Sequence, residues 1–236
     1  MLFTKVLLFC LAILAEASTV ADLASTLIGI SDVLDQTHLT YCSLLEVQFP
    51  YHPRLPNPSG DLHLKYVALG RGTQNYTCAN DSNTTAPRAA GAVATLFDAS
   101  CLVSYNAALF HYLTPLLKLI DADTLSLLGM IFNQMTSTDN HIITGKHEFN
   151  ADKKPFFDLR LGNTEDWVVA QANASAPARD DNTTNVPWLK LTSVEGHGIT
   201  EIYRVFTVGG QPPHHCGERK STFEVEYAAQ YWFYGR

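Results

Sequence analysis

The stretch Phe223-Glu224-Val225-Glu226-Tyr227-Ala228-Ala229-Gln230-Tyr231-Trp232-Phe233-Tyr234 reads as a long final β-strand, rich in the aromatic and β-branched residues that suit a pleated surface. Its aromatic run, Tyr227, Tyr231, Trp232, Phe233 and Tyr234, has two readings: core packing with tyrosine edges, or a platform for carbohydrate. Working back from it, strands are expected over 199–208, 188–192, 167–172, 155–161 and 145–150, joined by loops of Gly, Pro, Asn and Ser. Upstream, 62–69 and 73–78 read as two strands separated by a turn at Gly70-Arg71-Gly72, and 92–97 reads as another. Many short strands without regular strand–helix alternation predict a mainly β protein, an antiparallel sandwich or distorted barrel, and argue against a doubly wound sheet.

A different texture interrupts the strands over residues 105–136. Leu109, Leu113, Leu116, Leu117, Ile120, Leu125, Leu128, Ile131 and Met135 recur at helical spacing and predict an insertion of two or three helices. Thr114-Pro115 is expected to open one helix, with Pro at its first position. Residues 121–124 are expected to end one helix and cap the next. Lys118 is the sole basic residue of the segment, which favours packing against the sheet over a membrane-seeking role. Residues 18–45 look partly helical. Pro50, Pro53, Pro56 and Pro58 then impose an extended lead-in, with Phe49 and Tyr51 packed on the domain surface.

The first 17 residues have the three-part form of an export signal: Lys5, an apolar run over 6–15, and the small-residue pattern Ala15-Glu16-Ala17. The run is too short to span a bilayer, which needs roughly 20 residues. Cleavage after Ala17 would leave residues 18–236 as a single extracellular domain with no membrane span and no lipid-anchor signal. The net charge of -7 and the lack of a basic cluster argue against a nucleic-acid partner.

Cys10 lies within the export signal, leaving Cys42, Cys78, Cys101 and Cys216. An even number in an exported chain predicts two disulfides, with three pairings open. The wide spacings do not fit a compact zinc knuckle. Asn-x-Ser/Thr sites for N-linked glycans occur at Asn75, Asn80, Asn83, Asn173 and Asn182, four of them in or beside stretches of loop composition.

Several blocks occur in an order that resembles a known family. They are Leu69-Gly70-Arg71-Gly72-Thr73-Gln74-Asn75-Tyr76-Thr77-Cys78, Ala94-Thr95-Leu96-Phe97-Asp98-Ala99-Ser100-Cys101, Gly145-Lys146-His147-Glu148-Phe149 and Pro155-Phe156-Phe157-Asp158-Leu159. The most distinctive are Val186-Pro187-Trp188-Leu189-Lys190-Leu191, Ile202-Tyr203-Arg204-Val205, Thr207-Val208-Gly209-Gly210, and the final strand. Together they resemble a secreted fungal family of unknown function, with bacterial relatives, whose members are often labelled malate dehydrogenase in genomes. The resemblance implies secretion and a fungal source, but no established reaction. The dehydrogenase label lacks support in the residues, because a dinucleotide site needs a glycine-rich turn between a strand and a helix. Gly70-Arg71-Gly72-Thr73-Gln74-Asn75 has no third glycine and runs into a strand. Family members often carry an aromatic where this chain has Glu148 and an acidic residue where it has Gln230.

Individual polar residues give only weak functional pointers, each with a plainer structural account. His147-Glu148 could transfer protons or bind metal, or His147 could be a hydrogen-bonded strand histidine. Asp158 could partner His147, or receive turn amides ahead of Gly162. Arg204, in an apolar strand, either reaches solvent or is buried, and would then need a carboxylate such as Asp158 or Glu226. His197 lies between glycines, in a loop or beside a ligand. His214 and His215 next to Cys216 could join a metal site, though Cys216 is better explained by a disulfide. Ser100-Cys101 is likewise better read as a half-cystine than as a nucleophile. Neither Gly-x-Ser-x-Gly nor His-Glu-x-x-His occurs, and no cofactor is expected. The leading expectation is an extracellular binding or structural protein whose partner is an extracellular ligand or a cell-wall component. The rival is a secreted hydrolase of an extracellular polymer that uses His147, Asp158 or Arg204.

Overall fold

A computed structural model describes residues 42–79, 84–135, 142–217 and 221–236. The expected export signal, most of the helical expectation over 18–45, and the sequons Asn80 and Asn83 lie outside the described residues. Residues 42–45, at the end of that expectation, are non-helical.

Eight antiparallel strands follow one another in chain order and close into a barrel. They are β1 (His63–Thr77), β2 (Arg88–Asp98), β3 (Ile143–Phe149), β4 (Pro155–Asp158), β5 (Trp167–Ala176), β6 (Trp188–His197), β7 (Glu201–Gly209) and β8 (Thr222–Gly235). β8 closes the circle by pairing with β1 from His63↔Gly235 to Thr77↔Thr222. Of the two architectures expected, the barrel is the one formed. Three helices, α1 (Ser100–Tyr105), α2 (Ala107–Lys118) and α3 (Ala122–Met135), are inserted between β2 and β3. Among the described residues no helix is long and apolar enough to cross a membrane.

Period-2 alternation divides the core into two. Inside the barrel, Tyr227, Tyr231, Phe233, Phe157 and Leu96 interlock with Ala68, Ala94, Ala170 and Ala229. On the outer face Val67, Leu69, Tyr203, Val205, Trp232 and Tyr234 are covered by Val103 and Phe110 of the helices and by the lead-in. This explains the uninterrupted burial of β8 from Tyr227 onward, since both of its faces are covered. The aromatic run is therefore core, and no carbohydrate platform is exposed there. In the lead-in, Phe49 sits 4.5 Å from the ring of Tyr203 and 5.9 Å from that of Trp232, whereas Tyr51 is exposed.

Two local expectations are corrected. Gly70-Arg71-Gly72 is not a turn, because β1 runs through it unbroken. The two glycines face inward where side chains have no room. A Cβ on Gly70 would lie 2.5 Å from the Tyr231 ring, and one on Gly72 would lie 1.9 Å from the Val93 carbonyl oxygen. Arg71, between them, points outward under α2 and is 1% exposed. It donates to the carbonyls of Leu117, Ile120, Gly72 and Tyr227 and pairs with Glu226 at 2.7 Å, so it adds a donor to the Leu117 carbonyl, which also accepts from the Ile120 amide, and supplies one to the Ile120 carbonyl just past α2. The second correction concerns Pro115, which lies within α2 and does not open a helix. That helix starts one residue after Asn106, whose side chain accepts from the Leu109 amide. Asp121 does receive the Thr124 amide ahead of α3.

The disulfides are Cys42–Cys101 and Cys78–Cys216. The first ties the lead-in to α1, and the second ties the end of β1 to the β7–β8 connection. With separations of 59 and 138 residues, chain-entropy reasoning assigns them about 4 and about 5 kcal/mol.

The glycine geometry makes a direct prediction. Gly72→Ala should destabilise by about 1–3 kcal/mol, as overpacking does. Gly60→Ala, where a Cβ meets nothing within 4 Å, should be close to neutral. Chemical denaturation of the two variants checks this, and equal effects would contradict the inward-facing assignment. Arg71→Met should cost about 1–3 kcal/mol by taking the side-chain donor from the Ile120 carbonyl, just past α2, read as a lower denaturation midpoint.

Candidate functional site

The barrel interior is not apolar throughout. Toward the end where β1, β3, β5 and β7 finish, seven of the eight strands contribute to a cavity of about 40 Å³. Its lining includes Gln74 on β1, His147 on β3, Phe157 on β4, Leu191 on β6, Arg204 on β7 and Tyr231 on β8. Phe149, Pro155 and Leu189 also line it and are only half-buried, so that side leads outward. Small residues make the space. Ala92 on β2 lies in the lining, and Ala94 stands directly across from His147.

Strand register brings the polar groups together. Arg204 lies opposite Leu189 on one side and Tyr231 on the other, all three facing in. A bulge after Val205, with Phe206 at φ +46°, then lets Val205 and Phe206 both turn to the outer core. Arg204 is 8% exposed. Its Nη2 donates to the Pro187 carbonyl at 3.0 Å and its Nη1 to Gln74 Oε1 at 3.5 Å, while its Nε lacks a well-aligned acceptor, the Tyr231 hydroxyl being the oxygen close to the guanidinium. The Gln74 amide nitrogen is also buried without a well-aligned acceptor, close to the Tyr227 hydroxyl. The Tyr227 and Tyr231 hydroxyls bond each other at 2.7 Å. Burial raises both phenols, and the nearby Arg204 charge opposes that rise.

His147 lies flat against Phe157, with ring centroids 4.2 Å apart and planes 8° from parallel. Its Nδ1 is 3.0 Å from the Phe156 carbonyl, which can only accept, so Nδ1 carries the proton and the neutral ring keeps its lone pair on Nε2. Burial pushes the imidazole down to about 4 against the opposing Phe156 hydrogen bond, with a smaller downward push from Arg204, so it is neutral at physiological pH.

The structure thus brings His147 and Arg204 together and separates them from the other residues singled out in the sequence. Asp158 does not partner His147. It follows Phe157 by one residue and points to the opposite face, where it takes Arg160 Nε and Nη2, each at 2.8 Å, and the Arg160 amide at 3.1 Å. Arg204 is buried, yet neither carboxylate expected for it is its partner, because Glu226 faces outward to Arg71. His197 is exposed and lies 3.3 Å from Asp166, which also holds Lys65 and the Tyr66 hydroxyl. His214 and His215 are exposed with ring centroids 6.4 Å apart, and Cys216 is in its disulfide. No group of three His, Cys, Asp or Glu among the described residues is placed to hold a metal. Glu148 is on the outer side with Lys146, and Gln230 bonds Thr114 and His111 of α2. Asn173 and Asn182 are exposed and Asn75 is half-buried. Gln74 escaped the sequence reading, which took Tyr227 and Tyr231 as members of the aromatic run and not as a hydroxyl pair. With β1 read as one strand, alternation from Gly70 through Gly72 would have turned Gln74 inward.

Fold and site define an eight-stranded up-and-down barrel with a cationic, donor-rich pocket inside one end. The chain belongs to the family described as "Protein of unknown function (DUF3455)", whose model matches residues 58–235. No curated protein and no solved structure matches it.

The environment of His147 sets a pH dependence. An unfolded imidazole titrates near 6.5 and the folded one near 4, so the unfolded state binds more protons between those values and stability rises with pH there. The His147 contribution is about 3 kcal/mol across the window. His147→Gln should flatten the stability-versus-pH curve between pH 6.5 and 4 relative to wild type. The depressed carboxyls of Asp166 and Glu201 act lower, losing their contribution as pH falls through their folded values. Parallel urea titrations of both proteins check the difference, and superimposable curves would contradict it.

Proposed function

We propose that this is a secreted glycoprotein, of fungal source, that binds a small extracellular ligand in the polar end of its barrel. One observation carries the reading: two buried donors, Arg204 Nε and Gln74 Nε2, lack well-aligned acceptors and belong to side chains lining the same cavity. Buried polar groups in native proteins are almost always satisfied, and an exception calls for a specific cause, a bound ion or ligand being one. Barrels of this size either fill their interior with side chains or hold one small ligand. Export is supported by the leader-like first 17 residues, by exposed sequons at Asn173 and Asn182, and by two disulfides. Binding is preferred to hydrolysis of an extracellular polymer because the described lining offers donors and a stacked imidazole but no carboxylate.

Expression in a secreting fungal host should give medium-borne protein that begins at Ser18 and loses mass on enzymatic deglycosylation. A thermal-shift screen of small organic acids, phenols and wall saccharides should yield ligands that raise Tm. Ala92→Leu, which fills the cavity from β2, should abolish those shifts while the variant remains folded. Ligands that bind the Ala92→Leu variant as well as the wild type would place the site elsewhere, and a screen without any shift would count against the reading.

A further inference from the structure

Building on that ligand-pocket reading, we infer that the cavity beside Arg204 and Gln74 takes a small planar oxyanion, either the carboxylate of an organic acid or an inorganic counterpart. The protein supplies its own standard of comparison in Arg71. That buried guanidinium is surrounded by the carbonyls of Gly72, Leu117, Ile120 and Tyr227 and neutralised by Glu226. Arg204, 8% exposed against 1% for Arg71, has one carbonyl, one long contact to Gln74, the neighbouring Tyr231 hydroxyl and no carboxylate. A guanidinium keeps its charge inside proteins, and an unneutralised buried charge is costly. Among the described residues, three partly or fully buried carboxylates are engaged elsewhere, Asp158 with Arg160, Asp166 with Lys65, and Glu201 with Lys190.

The orphan atoms define the missing group. Both are N–H donors, so the complementary ligand atoms must be acceptors. One is charged, so a single negative charge completes it, and guanidinium edges recognise planar oxyanions with particular geometric fit. A cavity of about 40 Å³ accommodates a carboxylate head and a carbon or two, but not a sugar ring. Apolar Phe157, Leu191 and Ala92 suit the carbon side, and the half-buried rim of Phe149, Pro155 and Leu189 is where a longer acid would leave. The flat His147–Phe157 stack forms a wall of matching shape.

The test uses the full secreted chain and four probes at constant ionic strength: acetate, formate, nitrate and the neutral isostere acetamide. Calorimetric Tm and the NMR signal of the Gln74 side-chain amide are followed. The expected result is a Tm rise of roughly 3 °C at tenfold excess over Kd, with a saturable shift of the Gln74 signal, for at least one oxyanion. Arg204→Met and Gln74→Leu should each weaken the response about tenfold or more. Gln74→Leu keeps the arginine, so the inference stays testable if Arg204→Met fails to fold. A stronger response to acetate or formate than to nitrate assigns an organic acid, and the reverse order assigns an inorganic anion. Both results uphold the oxyanion. If acetamide matches acetate and both responses fall in the variants, the pocket reading survives and the anionic class is overturned. If none of the four probes has an effect, or if the effects persist in both variants, the oxyanion is likewise overturned. The Ala92→Leu screen then decides the pocket reading separately.

Discussion

The pairing of β8 with β1 is the constraint on which the rest of the structure depends. It runs the length of both strands and converts a meander with two open edges into a barrel with none. Closure requires backbones to approach closely on the inside, and Gly70 and Gly72 make this possible by leaving room for the Tyr231 ring and the β2 backbone. Once the sheet is closed, every inward position is committed to one small volume. The glycines and alanines of β1, β2 and β8 set how much of that volume the tyrosines and phenylalanines fill.

Closure alone leaves the outside of β1, β7 and β8 apolar, and the helical insertion and the lead-in cover it. Polar contacts as well as grease hold these covers. Arg71 donates to the Leu117 and Ile120 carbonyls at and just past the end of α2, and Gln230 reaches Thr114 and His111 on the same helix. Under the lead-in, the buried Lys190–Glu201 pair at 2.9 Å is completed by Ser59 and the Asn57 carbonyl. These outer networks are satisfied. The inner one around Arg204 is not, and that contrast within one molecule separates the structural polar groups from the functional candidates.

Much of the architecture was legible in the sequence because it rests on local signals. Strand-rich segments bounded by Gly, Pro and Asn gave the β class and most strand positions, and helical spacing from Leu109 onward gave the insertion. The misreadings came where a residue type has two physical uses. Gly70 and Gly72 look like turn glycines but serve close packing inside a strand. Pro115 looks like a helix opener but sits within α2, which Asn106 starts earlier. Splitting β1 at those glycines also hid the inward position of Gln74, and with it half of the donor set at the cavity.

By itself the sequence determined the mainly β class, the helical insertion, the number of half-cystines and the family resemblance, because each depends on composition, periodicity or residue order along the chain. Only the tertiary structure decided that the sheet closes, which cysteines pair, and that His147 and Arg204 share a cavity while Asp158 and Glu226 face away. The reason is register. A strand exposes alternate residues to opposite faces, so a shift of one position decides whether a carboxylate neutralises a buried arginine or leaves it waiting for a ligand.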